Sequence, residues 1–263
     1  MTVNPITSKQ HDQFRRFVEV AATRALKDAA PDKDGLQRLI TRGGEFQAYV
    51  VTGINRFTSK LPDYTLAQSI LGTDFITPEE ITAARGIVYG AEQLAQLSGN
   101  IPPAETLRWL KDNDFALMPC PPDAKSILDV RAIKPAHFYS KEGGWYTGEK
   151  ETFARDDKTS GGWLAIRKTP VPKSTNKNWD DQQKLLSGIE HVPNAAEVSW
   201  FVTTYFEVRG VRLLENVYVR TSSRDSDGGR VFVGHFGSKG LYVNGYWGVL
   251  RYSDLGVASA RKL

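Results

Sequence analysis

Few side chains of this sequence are spaced for acid–base or metal chemistry. The chain has four histidines: His11, His137, His191 and His235. No two of them lie at metal-ligand spacing, and none has a cysteine pair beside it. Glu197 and Glu207 fall ten residues apart on one predicted helix, which separates their carboxylates by about 15 Å. Two carboxylates at that distance cannot share one reaction, so we expect no catalytic residues.

Asp225 and Asp227 have the spacing of the first ligands of a calcium loop. Their carboxylate oxygens are ligands that suit this ion. The bidentate Glu that closes such a loop is missing, and Gly228 follows directly. A turn rich in Asp and Gly is therefore the favoured interpretation. We expect no metal and no other cofactor, and this turn is the place where a calcium ion would be sought.

The stretch from Arg220 to Lys262 carries chemistry of another kind. Its large aromatic, amide and basic side chains are Phe232, His235, Phe236, Tyr242, Asn244, Tyr246, Trp247, Arg251 and Tyr252. A few short strands cannot bury all of this surface, so part of it faces outward. Recognition surfaces use Tyr, Trp, Asn, Ser and Gly because these residues combine rigid contact area with adaptable hydrogen bonding. The alternative is a sheet-rich core of aromatic cross-strand pairs, and composition does not decide between them.

The overall composition is that of a globular protein. The chain has 263 residues, 40% hydrophobic and 24% charged, and a chain of this length buries about three quarters of its unfolded surface. Its 34 Lys and Arg against 30 Asp and Glu leave a net charge of +4. The basic residues are scattered among acids, so a nucleic-acid partner is not expected. No apolar run approaches the length of a membrane span.

The single cysteine, Cys120, cannot form a disulfide within the chain. The core alone must therefore hold the fold, which fits synthesis in a reducing cytoplasm. The first residues, MTVNPITSKQHDQFRR, contain no apolar signal region and no lipidation pattern. We expect neither a signal peptide nor a membrane anchor, and the sequence does not indicate a final location.

Residues 1–114 show a helical pattern. From Lys9 to Ala29 apolar residues recur every three or four positions, as they do on one face of a helix. Thr77, Pro78 and Glu80 form a helix-start signal, with a cap, a proline at the first helical position and a reciprocal glutamate. Further helices are predicted at Leu36–Ile40, Glu45–Phe57 and around Trp109.

From Phe115 onwards the pattern changes to short strands with Gly, Pro and Lys-rich connections. Strands are predicted at Phe115–Met118, Ile127–Ile133, Trp163–Ile166, Val231–Val233, Leu241–Val243 and Gly256–Ala260. One helix is predicted among them, from Asn194 to about Val208. The sequence therefore predicts an α+β protein with a helical N-terminal region, residues 1–114, and a mixed domain with short antiparallel strands, residues 115–263.

The end of the chain resembles a known fold. Three segments carry the resemblance: YVRTSSRDSD (Tyr218–Asp227), GGRVFVGHF (Gly228–Phe236) and LGVASARK (Leu255–Lys262). Their order resembles that of C-type lectin-like domains of the formylglycine-generating type, in which a strand with paired serines precedes a hairpin and a final strand ending in Arg. PNAAEVSW (Pro193–Trp200) sits where those enzymes carry a helix. The resemblance implies that a C-type lectin-like domain starts near Asp114.

The chain is more similar still to the variable proteins of diversity-generating retroelements, which display hypermutated residues on that fold. In such proteins the mutated codons are adenine-rich and lie just before the terminal strand. The resemblance implies a display set at Phe232, His235, Lys239, Tyr242, Asn244, Gly245, Tyr246, Gly248, Val249, Leu250, Tyr252, Ser253 and Asp254. It implies that Trp247, Arg251 and Gly256–Arg261 are scaffold. The implied function is non-catalytic recognition of a macromolecular ligand, in the first place a protein.

Two other functions stay open on this sequence. One is an oxidoreductase of the formylglycine-generating type on the same fold, although those enzymes rely on cysteines near the C-terminus and Cys120 is the only cysteine here. The other is a component of a phage or cell-surface adhesin, which differs from the first reading mainly in where the protein is displayed.

Overall fold

A computed structural model of the chain describes residues 7–44, 46, 47, 50, 64–140 and 143–263. The chain divides into two compact units, one up to Lys60 and one from Leu61 onwards. The predicted helix at Glu45–Phe57 falls largely outside the described residues. No helix of the described residues has the length and apolar character needed to cross a membrane.

In the first unit, α1 (Ser8–Ala29) and α2 (Lys33–Thr41) follow the predicted pattern closely. Thr7 caps α1 in a reciprocal arrangement with Gln10, which satisfies backbone N–H groups that a helix start leaves free. No residue of either helix is buried. Their apolar faces are exposed, with Phe17 at 67% and Ile40 at 64%.

The second unit contains further helices and all the strands of the described residues. Its helices are α3 (Thr65–Leu71), α4 (Pro78–Arg85), α5 (Ala91–Gly99), α6 (Ala104–Asp112), α7 (Ile127–Ile133), α8 (Phe153–Asp156), α9 (Trp179–Gln183) and α10 (Ala195–Arg209). Its strands are β1 (Phe115–Pro119), β2 (Trp163–Arg167), β3 (Glu190–His191), β4 (Tyr218–Arg224), β5 (Arg230–Gly237), β6 (Gly240–Tyr246), β7 (Leu255–Val257) and β8 (Ala260–Arg261).

These strands form two small sheets, with the orders β1-β2-β8-β3 and β6-β5-β4-β7. The β4–β7 pair is parallel, and the other pairs between these strands are antiparallel. Helices and short strands thus occur together without the alternation of a βαβ fold, which confirms the predicted α+β class.

Capping residues place two of the predicted helices. Thr77 accepts a bond from the Glu80 N–H while the Glu80 carboxylate accepts the Thr77 N–H at 2.8 Å, and α4 starts at the next residue. Asn194 and Glu197 make the same exchange at the start of α10. The helix that begins there ends at Arg209, one residue beyond the prediction.

The strand predicted at Ile127–Ile133 was wrong, because this segment is α7. Ser126 accepts a bond from the Asp129 N–H, and the Asp129 carboxylate accepts the Ser126 N–H at 2.8 Å. This reciprocal cap starts a helix, and Ile127 and Val130 are then buried on one of its faces. The cap outweighs the β-branched residues that favoured a strand.

One core joins the helices before Asp114 to the strands after it. Leu107 and Leu110 of α6 are fully buried and belong to the same apolar cluster as Phe115 and Trp200. The Trp163 indole N–H also donates to the Leu97 carbonyl at 2.8 Å. The domain boundary predicted at Asp114 therefore lies inside the compact unit that starts at Leu61.

The segment predicted as one strand at Gly256–Ala260 is divided between the two sheets. β7 pairs with β4 in one sheet, and β8 pairs with β2 and β3 in the other. The two residues between β7 and β8 bond to one sheet each. The Ala258 N–H donates to the Arg220 carbonyl of β4 at 3.0 Å, and the Arg167 N–H of β2 donates to the Ser259 carbonyl at 2.9 Å.

Candidate recognition surface

The β4–β5–β6 sheet has a buried inner face and an outer face that is open to solvent. Val231 and Val233 of β5 and Val243 of β6 are buried, whereas their neighbours Phe232 and Tyr242 are only partly covered. Successive side chains of a strand point to opposite faces. We call the side chains of the second set the outer face: Tyr218, Phe232, His235, Tyr242, Asn244 and Tyr246.

Aromatic contacts hold these side chains in place. The Tyr218 ring packs edge-on to Phe232, with centroids 5.0 Å apart, and lies 4.2 Å from the His235 ring. Tyr139, which precedes the strands by about a hundred positions in the chain, stacks on Tyr242 at 4.0 Å. Such pairs add about 0.5–1.5 kcal/mol beyond their buried area, so the outer face is an ordered surface.

A bulge in β5 brings His235 to the outer face. Gly234 has a φ of 158° and His235 a φ of 46°, and the register with β6 shifts between Gly234 and Gly237. A Cβ atom on residue 234 would lie 2.2 Å from the Val217 carbonyl oxygen, so only glycine fits. The His235 imidazole then reaches the Asp254 carboxylate at 3.3 Å.

A depression of about 430 Å³ opens at the end of the outer face, beside the turn between β5 and β6. It is lined by Glu215, Tyr218, His235, Gly237, Ser238, Lys239 and Tyr242. Of these, His235, Lys239 and Tyr242 belong to the predicted display set. The sequence interpretation missed Glu215 and Tyr218, although the alternation of Tyr218 with buried Val219 was a signal for the latter.

Residues 247–254, the terminal loop, connect β6 to β7 and expose most of their side chains. Val249 is 77% exposed, Trp247 56% and Tyr252 43%. Tyr246, at the end of β6, meets Tyr252 edge-on at 6.2 Å. The surface formed by the outer face and the terminal loop is therefore rich in exposed aromatic rings.

Arg220 holds the terminal loop to the sheet. Its side chain projects from β4 and is fully buried. One guanidinium nitrogen donates to the Leu250 carbonyl at 2.6 Å, and the other donates to Gln182 at 2.9 Å and to the Lys177 carbonyl at 3.0 Å. Burial lowers the pKa of Arg220, but a guanidinium stays protonated in proteins. The buried Arg220 side chain thus anchors the backbone of the loop and leaves the side chains of the loop exposed.

The segment before and within α9 supports the loop from the other side. The Asn176 N–H donates to the Tyr252 carbonyl and the Trp179 N–H to the Gly248 carbonyl, both at 2.8 Å. Gly248 lies against Trp179, and a Cβ atom there would lie 3.2 Å from the Trp179 Cβ. Backbone bonds of this kind do not depend on the identity of the loop side chains.

No residue of the predicted display set is fully buried, but its members do not all face outward. Gly245 follows the inward positions of β6, and a Cβ atom there would lie 2.4 Å from Asp225 Oδ2 and 3.0 Å from Trp145. A larger residue at 245 therefore requires one of those side chains to move. Lys239, Ser253 and Asp254 are exposed, and Leu250 is partly covered.

The expectation that Trp247 is a buried scaffold residue was wrong. Its side chain is 56% exposed, in a loop that Arg220 holds through the Leu250 carbonyl. Arg251, the second expected scaffold side chain, is also exposed and contacts Asp181 at 3.3 Å. Residues 256–260 of the final stretch are buried, and Arg261 is partly covered.

The acidic turn after β4 is held by its own hydrogen bonds. The Asp225 carboxylate accepts the Gly229 N–H at 2.6 Å and the Asp227 N–H at 3.1 Å, as the turn interpretation requires. The Ser226 hydroxyl donates to Glu151 at 2.7 Å. Within the described ranges, no three His, Cys, Asp or Glu side chains gather as a set of metal ligands.

His137 lies in a different place, in a buried cluster with Glu207. Its imidazole bonds to the Glu207 carboxylate, which also binds the Lys134 ammonium at 2.6 Å. Phe206 and Phe236 pack edge-on to the ring at 5.4 Å and 6.1 Å. Burial lowers the pKa of His137 and outweighs the opposite effect of Glu207, and the nearby positive charges of Lys134 and Arg85 lower it a little further.

This cluster makes stability depend on pH. Because the pKa of His137 is lower in the folded chain, the unfolded chain takes up a proton first as the pH falls below about 6.5. The free energy of unfolding should therefore decrease between about pH 7.5 and pH 5.5, and less so in His137→Gln. Urea unfolding of both chains at both pH values measures this, and equal decreases would contradict it.

A comparison of the chain with models of protein families, with curated proteins and with solved structures found no significant match.

Proposed function

We propose that this protein is a non-catalytic binding protein that presents the outer face and the terminal loop to a macromolecular ligand, in the first place a protein. The observation that carries the proposal is the exposure of Tyr246, Trp247 and Tyr252 at the end of β6 and in the terminal loop, whose backbone is anchored. Exposed rings of this kind supply most of the binding energy in protein interfaces.

Rigidity supports the same proposal. A ligand that binds ordered side chains loses less conformational freedom, at about 0.5–1.5 kcal/mol for each side chain that need not be immobilised. The stacked Tyr139–Tyr242 pair and the anchored loop meet this condition before any ligand arrives.

The resemblance to retroelement variable proteins leads us to propose further that the display set is hypervariable. The outward positions have the room that this requires, because the side chains of Val249 and Tyr252 are exposed, and the loop is held through backbone carbonyls such as those of Gly248 and Tyr252. The DNA that flanks the gene tests this. A near-copy of the codons for Val231–Lys262, differing mainly at adenines and accompanied by a reverse transcriptase gene, is expected; a flank with neither would contradict it.

Cysteine chemistry of the formylglycine-generating type has little support in this chain. Cys120 is 3% exposed, and burial raises its pKa to about 12. A thiol of that pKa is almost wholly protonated at neutral pH and is a poor nucleophile and metal ligand. The recognition proposal is therefore the stronger one.

Removing the exposed rings tests the proposed function. In the triple variant Tyr246→Ala, Trp247→Ala, Tyr252→Ala, protein ligands should bind more weakly by about 2 kcal/mol or more for each ring that is a hot spot. The free energy of unfolding should change by only about 1 kcal/mol, because little buried area is lost. Proteins retained by the immobilised wild-type chain are compared with those retained by the variant.

The matched control is the triple variant Leu66→Ala, Val88→Ala, Val211→Ala. These side chains are exposed to a similar degree, between 50% and 61%, but lie outside the outer face and the terminal loop. The control should retain the same ligands as the wild-type chain. Equal retention by the ring variant and the wild-type chain would contradict the proposal.

A further inference from the structure

The depression beside the β5–β6 turn contains charges that the protein itself does not use. Glu215 and Lys239 both line it, and neither side chain has an ion-pair or hydrogen-bond partner within the part of the chain that the structure describes. An exposed pair of opposite charges is common on protein surfaces. Here the two charges lie around a set of aromatic rings, which is a less common arrangement.

The rings of the depression offer their faces to a ligand. Tyr139 covers one face of Tyr242 at 4.0 Å, so one face of that ring is left for the depression. Tyr218 contacts Phe232 and His235, and its hydroxyl lies 3.4 Å from the Asn244 amide. The face of an aromatic ring carries partial negative charge and attracts cations.

Elsewhere in the molecule, arginines of the chain already occupy such rings. Arg230 lies 4.0 Å from the centre of the Trp179 ring, and Arg212 lies 4.2 Å from that of Phe206. Among the described residues, neither Tyr218 nor Tyr242 has a cation over its ring. These rings therefore have the chemistry of a cation site without an internal cation.

We propose that the depression binds a cationic side chain of the protein ligand, a guanidinium or an alkylammonium group. The cation would pack on the Tyr218 and Tyr242 rings and pair with Glu215. This inference rests on the proposed function, since it assigns a class of contact within the same surface. It adds Glu215 and Tyr218 to the residues that the sequence indicated.

The rings, rather than the charges, favour a cation over an anion, because the face of a ring attracts positive charge. Glu215 is the carboxylate that lines the depression, and Lys239 is the opposing charge; both side chains are exposed. The long flexible stem of Lys239 lets its ammonium move away from the rings.

Small probes test the site on the full chain without any protein ligand. N-acetylarginine amide is titrated into the isotope-labelled protein, and the amide signals of Gly237, Ser238 and Lys239 are followed by NMR. These signals should shift, and Glu215→Gln should raise the dissociation constant roughly tenfold, as expected when a charge-assisted bond is lost. Lys239→Gln should leave the affinity unchanged or increase it. The control Glu149→Gln, an exposed acid elsewhere, should have no effect.

Two outcomes would overturn the inference. The first is that N-acetylglutamate amide binds instead and that Lys239→Gln abolishes its binding, which would make the depression an anion site. The second is that the arginine probe produces no shift, or equal shifts in the wild-type chain and Glu215→Gln.

Failure of the cation site and failure of the proposed function give different experimental results. If a protein ligand no longer binds the Tyr246, Trp247, Tyr252 variant but still binds Glu215→Gln, the proposed recognition surface is supported and only the cation site is rejected. Retention of all ligands by the ring variant would reject the recognition surface, whatever the probes show.

Discussion

Replacing Arg220 by methionine should lower the free energy of unfolding by roughly 3 kcal/mol or more, because hydrogen bonds to a buried charge contribute about 1.5–3 kcal/mol each. Methionine fills a similar volume but donates no bond, so the carbonyls of Lys177 and Leu250 and the Gln182 side chain lose their donor. Natural domains are stable by only about 5–15 kcal/mol, so the effect is large. Urea unfolding measures it.

Arg251→Met is the matched control, since Arg251 lies in the same loop and makes an exposed contact with Asp181 at 3.3 Å. An exposed ion pair contributes at most about 1 kcal/mol, so this variant should unfold close to the wild-type chain. The Arg220 variant should also lose binding by the terminal loop, even under conditions where it is folded. Equal stabilities of the two variants would show that Arg220 does not anchor the loop.

Trp200→Ala should cost about 3–5 kcal/mol, the range found when a buried Trp is replaced by Ala. Trp200 of α10 is fully buried, its indole N–H donates to the Pro119 carbonyl at 3.1 Å, and the Arg85 guanidinium lies 4.6 Å from its ring centre. The substitution leaves a cavity and removes the indole N–H that donates to that carbonyl. Thermal and urea unfolding would detect the loss.

Trp247→Ala gives the contrast, because it removes the same side chain from an exposed position. We expect its free energy of unfolding to stay within about 1 kcal/mol of the wild-type value. A Trp247 variant that unfolds as readily as the Trp200 variant would show that the terminal loop packs its tryptophan inward, and the recognition surface would lose one of its rings.

The sequence predicted elements best where capping residues mark them. Thr77 and Asn194 identified α4 and α10 to within one residue at their starts. The same kind of signal, Ser126 with Asp129, was present before α7, but the β-branched residues after it favoured a strand. The core that continues across Asp114 could not be predicted from local pattern, because burial of Leu107 against residues distant in the chain is a tertiary property.

The surface was predictable in outline and not in detail. Its position followed from the excess of aromatic residues near the C-terminus, and alternation along β6 explains why Tyr242 and Tyr246 face outward. The inward position of Gly245 depends on strand register, which one residue of slip would reverse. The anchoring of the terminal loop depends on Arg220, and no local signal connects a residue of β4 to a loop that follows β6.

The passage of residues 255–261 from one sheet to the other bears on how the protein is made. A ribosome releases β1, β2, β4, β5 and β6 before β7 and β8, so until then β4 lacks its parallel neighbour and β2 lacks the strand that connects it to β3. Pairings between distant segments form slowly, since the chain between them must be ordered first. The nascent chain therefore exposes unpaired strand edges, a known route to aggregation, until β7 and β8 are inserted. Chaperone demand should be highest before these two strands pair.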